Sequence, residues 1–317
     1  MKLPAPRGPV SEFVISALAQ EPHDLGAVDD PATDDDLHLT LFVLYELHYR
    51  GWDGVDDRWE WHPGLIALRT RSEALFEADL RALAVPETDL DVPHALIAMT
   101  RDDSGPQLSK FIRGRASMAQ FREFATHRGV YHLREADPHT FAIPRLSGPA
   151  KAALIEIQID EYGGGVARRM HQELFKDTMT ALNLDTTYGA YVDVVPAPTL
   201  ANNNLMSFFG LHRRLRGALL GHLAAYEMTS TAPNRNYGNG LRRLGGDEKA
   251  TRFYDEHVEA DAVHEQIAAF DMCGAFAAAE PELAGDVLFG AACALALENR
   301  WAQHVLDKWA AGESSLR

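Results

Sequence analysis

After about residue 148 the chain offers four long stretches whose apolar residues recur with helical spacing, near 149–183, 199–229, 247–277 and 280–311, and no stretch alternates convincingly between apolar and polar residues. Without that alternation no half-buried sheet can form, and the apolar helix faces must cover one another. The expected fold is therefore all-α, a helical bundle in which facing helices carry side chains into a shared core. Between the second and third stretches TAPNRNYGNG reads as a turn, because Pro, Asn and Gly punctuate it.

The preceding half reads as shorter helices. A short leading helix is followed by an acidic, Pro-containing loop from Asp24 to Asp36, and a further helix starts at Thr33 or Asp34 with a polar cap. Helices are then expected near 64–84, 92–100, 105–127 and 130–136, before the prolines of DPHTFAIPRLSGP interrupt the chain. The division is residues 1–140, an N-terminal arm with auxiliary helices, packed on residues 141–317, a metal-binding helical core, the two forming one structural domain.

A formal charge of −16 disfavours nucleic acid and anionic membrane surfaces as partners, since both attract clustered Lys and Arg. A small molecule is the expected partner. Cys273 and Cys293 match no disulfide or zinc pattern and are expected as buried, reduced thiols. With no signal-like leader and no apolar run of membrane length, the expected location is the cytoplasm.

Three segments carry chemistry. In YDEHVEADAVHEQIAAF, His257, Asp261 and His264 fall within about 60° of one another on a helix. Two imidazoles and a carboxylate on one stripe suit a divalent first-row metal; the generally acidic helix also fits a solvated face. In ALLGHLAAYEMTS, Glu227 closes an apolar, small-residue stripe, where a carboxylate is either a ligand or exposed at the helix end. In EIQIDEYGGGVARRMHQELF the candidates are Glu156, Asp160, Glu161 and His171. An unbroken helix aligns Asp160 with His171 and leaves Glu161 off the stripe, while a bulge at Gly163, Gly164 and Gly165 would bring Glu161 onto it. Three carboxylates and three histidines suit two metals with open positions better than a closed zinc site.

The order Glu161, His171, Glu227, His257, Asp261, His264 resembles that of the haem-oxygenase-like di-iron oxidases, or iron-containing redox enzymes, over residues 130–270. The HxxxDxxH element is the most specific part of the resemblance, and the spacing looks closest to the N-oxygenating branch. That branch uses an additional glutamate from a preceding helix, which implies Glu135 in YHLREADP as a further metal ligand. A member of the branch carries a carboxylate three residues before the first ligand histidine, where this chain has Arg168; an arginine there suits contact with an anionic substrate group.

The resemblance implies a haem-oxygenase-like bundle holding two Fe(II)/Fe(III) ions through Glu135, Glu161, His171, Glu227, His257, Asp261 and His264, with Asp160 and Glu156 orienting the ligands. Manganese accepts similar ligands. O2 would be the co-substrate, an external donor, either a reductase or a small reductant, would supply electrons, and the expected assembly is a homodimer. The implied reaction is oxygenation of nitrogen in a small amine, guanidine or amino-heterocycle, with 2-aminoimidazole to 2-nitroimidazole as one example. Rival readings are oxidative decarboxylation or carbon–carbon cleavage of an amino or fatty acid, and an iron-binding or storage module. Haem oxygenase proper needs one axial histidine and leaves the other candidates without a role.

Other residues read as scaffold. Trp59, Trp61, Phe121 and Phe124 are expected to pack, Met206, Phe208 and Phe209 to pack or to wall the pocket, and Asn202, Asn203 and Asn204 to begin a helix. His48 and Arg50 suit either a surface cap or the pocket wall.

Overall fold

The computed structural model describes residues 1–83, 89–101 and 104–317, with residues 261 and 262 described through their backbone alone. Among the described residues there is no strand. The helices are α1 (Pro9–Leu18), α2 (Asp34–Glu46), α3 (Pro63–Arg81), α4 (Val92–Thr100), α5 (Leu108–Gly114), α6 (Met118–His132) and α7 (Gly148–Glu161). They continue as α8 (His171–Ala181), α9 (Ala197–Leu211), α10 (Arg216–Thr229), α11 (Thr231–Arg243), α12 (Glu248–Gln266), α13 (Ala275–Ala279) and α14 (Ala284–Ala310). No described helix is long and apolar enough to cross a membrane.

Local chemistry accounts for many of the helix starts. Thr33 caps α2 by accepting from the Asp36 amide, and the acidic first turn of α2 complements the helix dipole. The Asp36 carboxylate in turn accepts from the amides of Val10 and Ser11, so the start of α2 also caps α1. Ser117 and Gln120 form a reciprocal capping box on α6, and Asp247 caps α12.

Three expected helices are broken. The segment 149–183 divides into α7 and α8, because Gly163, Gly164 and Gly165 all take left-handed φ, of 61°, 61° and 77°. The segment 199–229 divides at His212, which is extended, and 105–127 divides between α5 and the Ser117 cap of α6. The expected helix at 130–136 is the end of α6 followed by a turn, and the proline segment is a 3-10 stretch over Asp137–Arg145.

Two readings are corrected outright. TAPNRNYGNG is helical, as most of α11: its proline sits in the first turn, where no amide bond is lost, and its glycine permits a close crossing. A Cβ on Gly240 would meet the Ile112 carbonyl oxygen at 2.7 Å. Asn202, Asn203 and Asn204 lie buried inside α9 rather than at its start, with Asn204 Nδ2 donating to the His38 carbonyl at 2.8 Å. Trp61 is exposed, whereas Trp59, Phe121, Phe124, Met206, Phe208 and Phe209 are buried, as are both free cysteines.

Side chains from α7, α9, α10 and α14 form one apolar cluster, to which Leu41, Tyr45, Phe76, Val92 and Leu96 of the N-terminal half contribute. A second cluster joins α5, α6, α8, α11, α12 and the end of α14 through Phe121, Phe124, Phe175, Phe253 and Trp301. After α12 the chain widens into a π-helix over Ile267–Gly274, whose Ile267, Ala268, Met272 and Cys273 enter the first cluster. α10 and α14 cross backbone against backbone: a Cβ on Gly221 would lie 1.8 Å from the Val287 carbonyl oxygen, and one on Gly290 would lie 1.9 Å from that of Ala218. The crossing holds α10, which carries the buried Glu227, tightly against α14.

Gly221→Ala and Gly290→Ala should each lower unfolding stability by about 1–3 kcal/mol through forced overpacking. Gly285→Ala in the same helix, where an added Cβ meets nothing within 4 Å, should stay within about 1 kcal/mol of the parent. Chemical denaturation of the three variants checks the contrast.

Candidate metal centre

Glu161 is the last residue of α7 and His171 the first of α8. Ten residues apart in an unbroken helix, they would be separated by about 15 Å along its axis. With the glycine turn between them, Glu161 Oε2 lies 3.2 Å from His171 Nδ1. Gly163 is required there for space as well as for its φ, since a Cβ would sit 2.5 Å from the Arg169 carbonyl carbon. The break, larger than the expected bulge, is what joins these two side chains.

Glu135, in the turn after α6, completes a buried group with His171 and His257. Its Oε1 is 4.0 Å from His171 Nδ1 and 3.8 Å from His257 Nε2, and one ligand atom from each of the three lies within 4.8 Å of the others. Glu135 Oε1, Glu161 Oε2 and His171 Nδ1 are buried without a hydrogen-bond partner. The 3.2 Å approach of Glu161 to His171 is thus an ion-pair contact with poor hydrogen-bond direction. Unpartnered buried acceptors are costly in a folded protein, and a cation among them removes that cost. His257 Nδ1 is 2.8 Å from the Phe253 carbonyl oxygen, to which it donates, leaving Nε2 with a free lone pair towards Glu135.

A second pair lies on α10 and α12. His264 Nδ1 is 3.2 Å from Glu227 Oε2, and Nε2 is 2.9 Å from Asp160 Oδ2. Asp160 is 60% exposed and Glu227 is buried, so the imidazole bridges solvent and interior. Asp261 lies on α12 between His257 and His264, and its side chain is outside the described residues. Glu156 is exposed, and Arg168 is exposed on the turn before α8, so neither is brought into the group.

The charges respond to one another. Burial and the charge of Glu161 push the Glu135 carboxyl up to about 8. Burial opposes the Glu161 charge as well, but the His171 imidazole outweighs it and holds the carboxyl at about 2. His171 is raised to about 10 against its own burial, by Glu161 first, and His264 to about 9, by Glu227 first. His257 is lowered by burial and by His171. The metal-free group is therefore a Glu161–His171 ion pair beside a protonated Glu135 and a neutral His257.

A residue not singled out from the sequence is His132, whose Nδ1 contacts Glu135 Oε2. The two stand three residues apart across the end of α6, a spacing that could have revealed the pair. Next to Glu135, Arg134 is fully buried and donates from Nη1 to Glu46 Oε2 at 3.0 Å, and Tyr188 donates to the same oxygen at 2.9 Å. The end of α2 is thereby tied to the turn that presents Glu135. Arg50, one of the two residues expected at a cap or pocket wall, lies 3.7 Å from Asp137, while His48 pairs with Glu60.

A narrow cavity of about 10 Å³ is lined by Arg134, Glu135, Asp137, Glu161, Tyr162 and Gln172. A larger depression of about 410 Å³ lies against α1, lined by Glu12, Phe13 and His23, and includes none of the residues of the buried group.

The sequence pattern of iron-containing redox enzymes matches residues 122–299, a span that runs from α6 into α14 and includes every residue of the buried group. The chain belongs to that family. It is also similar to a nitrosourea synthase of Streptomyces achromogenes subsp. streptozoticus, 29% identical over 136 residues, which cover 43% of this chain and 29% of the synthase. Less than a third of that relative's length is matched. Membership of the iron-containing redox enzymes makes the chain an oxidoreductase and implies iron, which the donor set of imidazole nitrogens and carboxylate oxygens fits.

In the metal-free chain Glu135, His171 and His264 keep their protons to higher pH than in the unfolded chain, where they titrate near 4.5, 6.5 and 6.5. Their stabilising contribution is present below those values and is lost as pH rises through about 8, 10 and 9. The melting temperature of the metal-free protein should fall between about pH 7 and pH 10, and His171→Phe should flatten the decline. Calorimetry across that range would refute the assignment if the slope were unchanged in the variant.

Proposed function

We propose that the chain is an O2-dependent non-haem di-iron N-oxygenase acting on a small amine, guanidine or amino-heterocycle. The observation that carries this reading is the buried group of Glu135, Glu161, His171 and His257, in which Glu135 Oε1, Glu161 Oε2 and His171 Nδ1 lack hydrogen-bond partners, together with a second imidazole–carboxylate pair, His264 and Glu227. One ion would be held by the first group and another by Glu227 and His264, with Asp261 between the two histidines on α12. The nitrogens that would bind are His171 Nδ1, which faces Glu161, His257 Nε2, which faces Glu135, and His264 Nδ1, which faces Glu227.

Iron(II) bound there would supply electrons and open coordination positions for turning O2 into an oxygen donor. The protein's part is to hold and orient. Asp160 accepts from His264 Nε2 and so directs Nδ1 inward, and the Phe253 carbonyl does the same for His257. On binding, the first group would release the protons held by Glu135 and His171. Support for nitrogen as the atom oxidised comes from the nitrosourea synthase likeness, since a nitrosourea carries a nitroso group on nitrogen.

Protein loaded with Fe(II) without oxygen, then exposed to O2 with a panel of amines, guanidines and amino-heterocycles, should yield products that gain oxygen on nitrogen by mass spectrometry. Loss of CO2 or carbon–carbon cleavage from amino or fatty acids would instead select the oxidative decarboxylase reading. Iron uptake with no turnover of any class would select a storage module. His257→Ala should lower iron uptake, and unchanged uptake would sink the di-iron assignment.

A further inference from the structure

The Glu135 carboxylate has two inequivalent oxygens. Oε2 is contacted by His132 Nδ1, and Oε1 is buried, lacks a hydrogen-bond partner and faces His171 and His257. Once Glu135 is ionised, as it must be to bind a metal ion, its carboxylate only accepts, so the imidazole N–H is the donor. Unlike the other imidazoles of the centre, His132 is turned to the outer oxygen of a glutamate rather than towards the set of inward atoms.

We propose that His132 is a positioning residue that occupies one oxygen of Glu135 and restricts this carboxylate to binding a metal ion through Oε1 alone. The inference rests on the metal-site reading above and goes beyond it, by assigning how one ligand is presented. The geometry around His132 makes its ring a fixed reference. It stands against Phe175 at 4.6 Å and Phe253 at 4.6 Å between ring centres, with Tyr131 at 4.8 Å. Phe175 belongs to α8 and Phe253 to α12, the helices that carry His171 and His257. The aromatic box therefore ties the donor that aims Glu135 to the two helices whose imidazoles Glu135 faces. A carboxylate freed of that N–H could turn and offer both oxygens to one ion, or span two ions.

The test uses the full chain and Co(II) alone, without oxygen or substrate, with His132→Phe to keep the ring packing and His132→Gln to keep an N–H donor. Calorimetric titration gives affinity and stoichiometry, and infrared difference spectra of the carboxylate stretches report one-oxygen against two-oxygen binding. Melting of each metal-free variant establishes that it folds, and His132→Leu replaces the Phe variant if that one does not. The expected result is wild-type stoichiometry in all, affinity weakened about 10–100-fold at one ion in the Phe variant, a carboxylate band moved towards two-oxygen binding, and recovery of both readouts in the Gln variant. Unchanged affinity and carboxylate bands in the Phe variant would overturn the proposal. Loss of one whole equivalent in both variants would also overturn it, because His132 would then be a ligand itself. Wild-type protein that takes up no Co(II) or Fe(II) would overturn the metal reading along with it, which separates the two failures.

Discussion

The burial of carboxyl groups is the constraint around which this bundle is arranged. Glu135, Glu161 and Glu227 are all withdrawn from water, and each would be expensive there without positive charge or hydrogen-bond donors close by. The answer is distributed over the chain: His132 from α6, His171 from α8, and His257 and His264 from α12. No two adjacent helices could supply it. The apolar clusters on either side then exclude water from charges that already have partners, and the low polarity strengthens each pairing. Within the centre, Glu135 Oε1, Glu161 Oε2 and His171 Nδ1 are left unpartnered, where a cation would meet them.

Much of this was legible in the sequence, because helical periodicity and ligand-type residues are local signals. The all-α class, the cap at Thr33 and the helix near 92–100 follow from residues within a few positions of one another. The breaks were harder to read. Three glycines lower helix preference without saying whether the chain bulges or reverses, and the answer depends on the contact that Gly163 makes with Arg169. The Pro, Asn and Gly of α11 suggested a turn because their use, a close crossing over Ile112, is a tertiary fact. The three asparagines of α9 likewise follow buried partners such as His38 rather than capping preference. In the centre, His257 and His264 share a visible helical stripe, whereas the nearness of Glu161 and His171 exists only after the break. The spacing of His132 and Glu135 is local, but their contact depends on how the chain turns after α6.

The N-terminal helices also take part in the electrostatics of the centre. Glu46 at the end of α2 pairs with Arg134 in the interior, and Arg134 is held between the rings of Phe42 and Tyr49 at 4.9 and 4.8 Å. The neighbour of Arg134 in the chain is Glu135. A displacement of α2 would therefore be felt at the carboxylate that faces His171 and His257, even though α2 contributes no side chain to that group.

The π-helix that follows His264 gives the polypeptide two phases. Up to Gln266 the side chains keep one angular registration, which turns His257 and His264 inward; from Ile267 the wider turn advances the registration so that Ala268, Met272 and Cys273 face the apolar core. Removing a single residue from the widened stretch would restore regular winding and rotate the rest of that helix, as far as Ala279, by about 100°. The length of this segment is thus as specific as its composition: substitutions change one contact at a time, while a one-residue deletion would turn every side chain between it and Ala279 away from its present partners.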